Sequence, residues 1–437
     1  MLQIYTGGEI EPKLHKILER AALTLDRPEA RTAAKIIAQV RRDGDRAVLR
    51  YTEKFDRVRL DSLRVDALEI ALAHKQADEA LLQALRAAIK NITDYHLKQV
   101  PRSWLLKTGK KSRVGLRYSP VAAAGVYVPG GRAAYPSSLL MNVIPARLAG
   151  VPRIVVVTPP NKDGAPSAVL LAAARELGVT EIYLCGGAQA IAALAYGTET
   201  IPRVDMIAGP GNIYMTLAKK LLYGAVGFDK LAGPSDCLIL ADKTADERFV
   251  AADLLAQAEH DTLASALLLT DSGELARRVA REVKKQLGGL ARRALIEKAL
   301  QAYGGIFVLK DRADFVRLAD LIAPEHLQIL LPDAAEIADQ INNAGAVFIG
   351  TYAPAALGDY FAGPNHVLPT GGTARFASPL GVDDFLKKTS LVEYSRTDLQ
   401  AARRHIDVLA RAEGLTAHAA SVNIRFASGA SGRLFES

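Results

Sequence analysis

The side chains with chemistry to do fall into a few short segments. Gln257-Ala258-Glu259-His260 sets an amide and an imidazole three apart near the end of an expected helix. That spacing puts both on one face, about 60° apart around the axis, so they could share a cation. A solvated helix-end histidine gives the same pattern. Ala323-Pro324-Glu325-His326 places an acid beside an imidazole where Pro324 breaks the preceding helix, at a loop-to-strand boundary. The imidazole titrates near neutrality and suits proton abstraction, and the carboxylate could activate water. A surface Glu–His pair is the competing reading. Gly358-Asp359-Tyr360 leads into Gly363-Pro364-Asn365-His366, a Gly/Pro-rich loop. Its carboxylate is either a hard-oxygen metal ligand or a turn-stabilising Asp, and the role of His366 is open. Glu413-Gly414-Leu415-Thr416-Ala417-His418 follows a helix that Gly414 is expected to stop. The remaining histidines, His15, His74, His96 and His405, sit among charged residues and read as surface.

Counted together, Gln257, His260, Asp359 and His418 form a nitrogen and oxygen donor set with open positions. Such a set suits a catalytic or substrate-holding zinc better than a closed structural one. The chain has 2 Cys among 437 residues, which excludes a four-cysteine zinc or iron–sulfur site and a disulfide framework. Cys185 and Cys237 read as small buried hydrophobes. Three Gly-rich turns carry a second kind of chemistry: Val126–Gly131 (VYVPGG), Cys185–Gln189 (CGGAQ) and Gly209–Tyr214 (GPGNIY). Glycines let the backbone approach a ligand, and a following helix N-terminus favours phosphate. None matches the full G-x-G-x-x-G fingerprint, and each alone could be an ordinary tight turn.

The elements that must position these residues are α/β. Residues 1–100 read as helical, with apolar residues at helical spacing over 31–54 and 68–99. From about residue 121, short β-rich runs alternate with Ala/Leu-rich helices. Strands are expected at 154–157, 181–185 and 204–207, with helices at 168–177, 188–195 and 213–222. A second series follows, with strands at 237–241, 266–269, 306–309 and 346–349. Its helices are expected at 246–259, 274–286, 314–321 and 334–342. Such alternation implies parallel sheets with helices on both faces. The closing stretch, 370–437, reads as helical with a Gly/Ser-rich tail.

The bulk numbers fit a globular protein. Lys plus Arg is 55 and Asp plus Glu is 47, so the net charge is +8 with His neutral. That surplus suits a solvated surface or an anionic dinucleotide, and no dense basic run with aromatics points to nucleic acid. No signal peptide or membrane-spanning run is visible, so a cytoplasmic place is expected.

The motifs GVYVPGG, AAYPSSLLMN, CGGAQAIAALAYGT, AGPGNIYMTLAKK, AGPSD, DLLAQAEHD, APEHLQI, GDYFAGPNHVLPTGGTARF and EGLTAHA follow one another along the chain. In these segments, over nearly its whole length, the chain resembles the histidinol dehydrogenase family. The resemblance implies oxidation of L-histidinol to L-histidine through the aldehyde, with two NAD+ and one Zn2+ per subunit. It implies zinc ligands at Gln257, His260, Asp359 and His418, a base at His326 and a water-activating acid at Glu325. Ser235 and Glu413 would contact substrate, joined by the zinc-site residues and His326. Tyr127, Gln189 and Asn212 would contact the nucleotide. The implied architecture is two incomplete Rossmann-like domains with smaller helical parts in a homodimer with shared active sites. The expected borders are a helical arm over 1–120, the NAD-side domain over 121–235 and the zinc and acid–base domain over 236–370. A domain-swapped tail covers 371–437. AGPSD departs from the family pattern, with Asp236 where Glu is more usual. Three rivals stay open: a relative that oxidises a sulfonated diol, a metal-dependent hydrolase and a non-catalytic binding protein. The three nucleotide-type turns argue against the hydrolase, and intact Glu325 and His326 against loss of catalysis.

Overall fold

The computed structural model describes residues 2–20, 24–130 and 135–427. Gly131 of the first Gly-rich turn and most of the Gly/Ser-rich tail lie outside the described residues. The chain divides into two compact units, one of Met1–Val100 with Val121–Phe385 and one of Pro101–Pro120 with Leu386–Ser437.

The first unit holds two parallel sheets. One has the strand order Ile182–Leu184, Arg153–Thr158, Ala123–Tyr127, Met206–Ala208, Gly227–Phe228. Numbered by their own chain order these strands run 3-2-1-4-5. The other sheet has the order Ile4–Thr6, Gly305–Val308, Ser265–Thr270, Asp236–Ala241, His326–Leu330, Ala346–Ile349. Its last five strands repeat the same 3-2-1-4-5 order, with Ile4–Thr6 added at the edge. The central strands Ala123–Tyr127, Asp236–Ala241 and Ser265–Thr270 are buried at every residue. Helices cover both faces, so apolar runs replace alternation. In the second sheet Cys237, Ile239 and Ala241 enter one core while Leu238 and Leu240 enter the other. Both cysteines are free and buried, as the sequence implies.

The residues before 100 are built into both cores. Ala33, Ile36 and Val40 pack with Ile191, Leu194 and Leu217 of the first sheet's helices. Ile10, Leu14 and Ile17 pack under the second sheet. The strand Ile4–Thr6, which the helical reading of this region misses, pairs in register with Ile306–Val308. The 31–54 stretch forms two helices, Pro28–Asp43 and Asp45–Asp56, broken at Gly44 with φ 53°. The surface reading fails for His96: it continues the Ala88, Ile92 face of Glu79–Leu97 into the core, with Nδ1 2.7 Å from Gln99 Oε1. His74 is half-buried against Glu176.

The second unit has an antiparallel sheet of Trp104–Lys107, Arg113–Pro120 and Leu386–Glu393. Leu386–Glu393 is therefore strand where the closing stretch reads as helix; it completes a sheet whose partners lie far back in the sequence. The helices Arg396–Ala412 and Thr416–Asn423 follow, separated at Gly414 with φ 74°. Among the described residues no helix is long and apolar enough to cross a membrane.

Candidate active site

The acid–base residues meet at the amino ends of two neighbouring strands. The helix Ala313–Ile322 ends on Ala323 in the left-handed region at φ 48°, and Pro324 then forbids further helix. Glu325 and His326 are thereby delivered to the start of His326–Leu330, where His326 lies in register with Cys237. Ser235 and Asp236 open the adjacent strand.

These four residues form a closed set of bonds. Ser235 Oγ donates to Glu325 Oε2 at 2.5 Å, and the Asp236 N–H donates to the same oxygen at 3.0 Å. The Glu325 N–H donates to Asp236 Oδ1 at 2.8 Å. Gln257 Nε2 donates to Ser235 Oγ at 2.7 Å. His326 Nδ1 faces the Asp236 carbonyl at 3.3 Å, while Nε2 is buried and makes no hydrogen bond, 3.5 Å from Asp359 Oδ1. Burial pushes the Glu325 carboxyl up to about 7, against the pull of His326. Burial works to lower His326, but the Glu325 and Asp359 carboxylates overcome it and hold the imidazole up at about 9. For Asp359 burial is opposed by His326, His366 and His260, which keep it below the usual carboxylate range.

The donors expected to hold a metal gather around this set within the first unit. Gln257 lies in the last turn of Glu247–Ala258, but His260 stands past the helix end, so the two do not share one helical face. A turn from the His260 N–H to the Gln257 carbonyl keeps them close, at 3.4 Å. His260 is solvent-accessible; desolvation by its surroundings still lowers its basicity, against the pull of Asp359. Asp359 sits on a short helix, Ala355–Tyr360, rather than on an open loop. His366 secures that segment, with Nδ1 2.9 Å from the Asp359 carbonyl and Nε2 3.3 Å from Ser138 Oγ. Among the described residues no group of three or more His, Cys, Asp or Glu is arranged to hold a metal ion. The first unit supplies two such donors, His260 and Asp359, beside the Gln257 amide. Glu413 and His418 belong to the second unit, where both are exposed.

The three nucleotide-type residues lie on the other sheet. Tyr127 ends its central strand, buried, and burial pushes its hydroxyl well above the usual tyrosine range. Gln189 is 1% exposed in the first turn of Gly187–Tyr196, and its Oε1 has no hydrogen-bond partner among the described residues. Asn212 caps Ile213–Leu221 by accepting from the Tyr214 and Met215 N–H groups at 3.1 and 3.2 Å. Gly209 has φ 119°, and a Cβ there would stand 2.2 Å from the Tyr127 carbonyl oxygen. Tyr127 and Gly209 thus mark the carboxyl edge between strands 1 and 4, where the strand order reverses and such sheets receive ligands. Two roomy clefts, about 610 and 640 Å³, lie elsewhere and include neither Glu325 nor His326.

Sequence reasoning undervalued Asp236. It is buried, takes the Glu325 and Gly371 N–H groups on its two oxygens, and lies 3.5 Å from Arg20. Its position next to Ser235 in AGPSD was the available signal.

Comparison with known proteins finds one family over nearly the whole chain. The family model for histidinol dehydrogenase matches residues 19–426. A histidinol dehydrogenase of Synechococcus sp. is 50% identical over 428 residues, covering 97% of this chain and 99% of the relative. That of Bacillus subtilis is 51% identical over 397 residues, covering 91% and 93%. The crystal structure of histidinol dehydrogenase from Elizabethkingia anophelis superposes with a TM-score of 0.91 at 35% identity, covering 97% of this chain and 98% of that one.

Proposed function

The chain belongs to the histidinol dehydrogenase family, and from that premise we propose that it oxidises L-histidinol to L-histidine through L-histidinal, the last two steps of histidine biosynthesis. The observation that supports this most is the buried Ser235–Glu325–Asp236–His326 set beside Asp359, an acid and a base with different tasks held on adjacent strands.

The residues fit the cofactors that the family uses. Gln257 spends its amide nitrogen on Ser235, which leaves its oxygen for a cation, and the His260 imidazole, exposed at its surface, makes no side-chain hydrogen bond among the described residues. Gln257, His260 and Asp359 would hold zinc, with His418 as the fourth ligand. Zinc there would anchor and orient the substrate's amine and imidazole. The partnerless Gln189 oxygen and the close approach at Gly209 suit a dinucleotide near Tyr127 and Asn212. NAD+ is the hydride acceptor for each oxidation.

The chain's own residues handle the protons. A proton on His326 Nδ1, donated to the Asp236 carbonyl, leaves the lone pair of Nε2 free to take the proton of the substrate hydroxyl. Glu325, raised toward neutrality by burial, takes a proton from the water that adds to the aldehyde. Ser235, itself held by the Gln257 amide, and the Asp236 N–H fix that carboxylate, and Ser235 stands where it can contact substrate. The hydrated aldehyde then loses its second hydride and leaves as the acid. We also read the active assembly as a homodimer in which Glu413 and His418 serve the neighbouring subunit's site. The two free, buried cysteines suit a reducing cytoplasm.

Stripping the protein with a chelator tests the metal part. NADH formation from histidinol is expected to stop and to return with added zinc. Full turnover in metal-free protein would remove zinc from the account.

A further inference from the structure

Lys219 and Asp229 form an ion pair that nothing above uses. Both side chains are shut off from solvent, at 3% and 0% exposure, with Nζ 2.7 Å from Oδ1. The pair does not close on itself. Lys219 Nζ also donates to the Gly209 carbonyl at 2.8 Å, and Asp229 Oδ2 accepts the Gly209 N–H at 3.0 Å. Both peptide groups of one glycine are therefore held by the two members of one pair.

That glycine is the pivot of the turn. It follows Met206–Ala208 directly, holds a φ of 119° that an L side chain rarely adopts, and packs against the Tyr127 carbonyl. Three residues on, Asn212 caps the helix that carries Lys219 itself. The helix thus returns a side chain to the turn from which it starts. Stability alone accounts poorly for the arrangement: a buried ion pair can often be replaced by apolar groups at no net loss, whereas deleting one partner strands the other's charge. Geometry is what it supplies.

We propose that Lys219 and Asp229 are positioning residues, a buried clamp that holds the Gly209–Asn212 turn in the shape that receives the nicotinamide dinucleotide. The proposal rests on the reading that the dinucleotide binds at this turn. It predicts a selective defect. Loosening the turn weakens nucleotide binding and leaves the metal and histidinol end, on the other sheet, unaffected.

Four variants of the zinc-replete protein test it: Lys219→Met, Asp229→Asn, the two combined, and Asn212→Ala. Direct titration with NAD+, zinc content, thermal midpoint and KM for each substrate are measured. Lys219→Met is expected to lower the midpoint and to weaken NAD+ binding about tenfold, the scale of a lost preorganisation. The combined variant no longer strands a charge, so its midpoint should recover while NAD+ binding stays weak. Zinc content and the KM for histidinol should hold throughout. If NAD+ binding recovers together with the midpoint, the pair is only structural and the proposal is overturned. If Asn212→Ala weakens NAD+ binding and the clamp variants do not, the clamp alone falls. If Asn212→Ala is also without effect, the nucleotide reading of this turn falls, and the clamp with it.

Discussion

In the proposed mechanism His326 works through Nε2, the ring nitrogen that makes no hydrogen bond among the described residues. Replacing it with Asn removes the basic nitrogen and leaves a smaller, planar, uncharged polar side chain. Zinc content should be retained and turnover should drop by roughly 10²–10⁴, the usual weight of a general base. Turnover within a few-fold of wild type would take His326 out of that role. The charges around the ring set the pH at which it works. Burial lowers its basicity, but Glu325 and then Asp359 raise it further, so the ring is held up at about 9. A base must be unprotonated to act, so alcohol oxidation should rise with pH through the alkaline range. Glu325→Gln removes the leading upward influence. The imidazole then loses its proton at lower pH, and the limb for the first hydride transfer should shift to lower pH while the second oxidation fails. Stopped-flow NADH formation over a pH series reads both effects, and an unmoved limb would uncouple the two residues.

At the scale of elements, the site depends on pairings that one-dimensional reading does not reach. Glu325-His326 was legible as an acid–base pair because Pro324 marks where the preceding helix must end, whereas the left-handed turn at Ala323 belongs to the structure. That Glu325 bonds Ser235 and Asp236, 90 and 89 residues away, follows only from the register of His326–Leu330 beside Asp236–Ala241. Asp236 looked like a small departure from the family pattern because it is not among the zinc or acid–base positions, and its partners, the Glu325 and Gly371 N–H groups and Arg20, leave no local signature. The same limit hid the strand Leu386–Glu393, whose pairing partner is Arg113–Pro120. Asp398 braces that unit, accepting from Ser112 Oγ at 2.6 Å and Ser395 Oγ at 2.8 Å and from the Lys110 and Lys111 N–H groups. These bonds hold its carboxyl well below the usual range. A depressed carboxylate stabilises the fold above its unfolded value and loses that contribution as pH falls through the folded one. Asp398→Ala should therefore lower the thermal midpoint by a few degrees at neutral pH and by progressively less in strong acid. Equal losses at both pH values would count against the carboxylate.

At the scale of the molecule, the alternation of strands and helices sufficed for two parallel sheets. Their shared 3-2-1-4-5 order and the extra edge strand from Ile4–Thr6 did not show. An edge strand of three residues is too short for a periodic signal. On the proposed assignment the two sheets work at opposite ends: the first at its carboxyl edge, at Tyr127 and Gly209, and the second at its amino edge, at Ser235 and His326. The shared-site dimer has its own test. Protein with His418→Ala, mixed with protein carrying His326→Asn, should regain activity after subunit exchange. Random exchange makes half the dimers mixed and restores one site in each, about a quarter of the wild-type rate. No recovery would place His418 in its own subunit's site.

The central claim is the four-electron oxidation of histidinol, and the stoichiometry of that reaction tests it most directly. Zinc-replete protein is given limiting L-histidinol and excess NAD+, and NADH is counted against substrate consumed. Two NADH per histidinol, with histidine as the product, is the result expected here. One NADH with aldehyde released, or turnover of a sulfonated diol and none of histidinol, would contradict it.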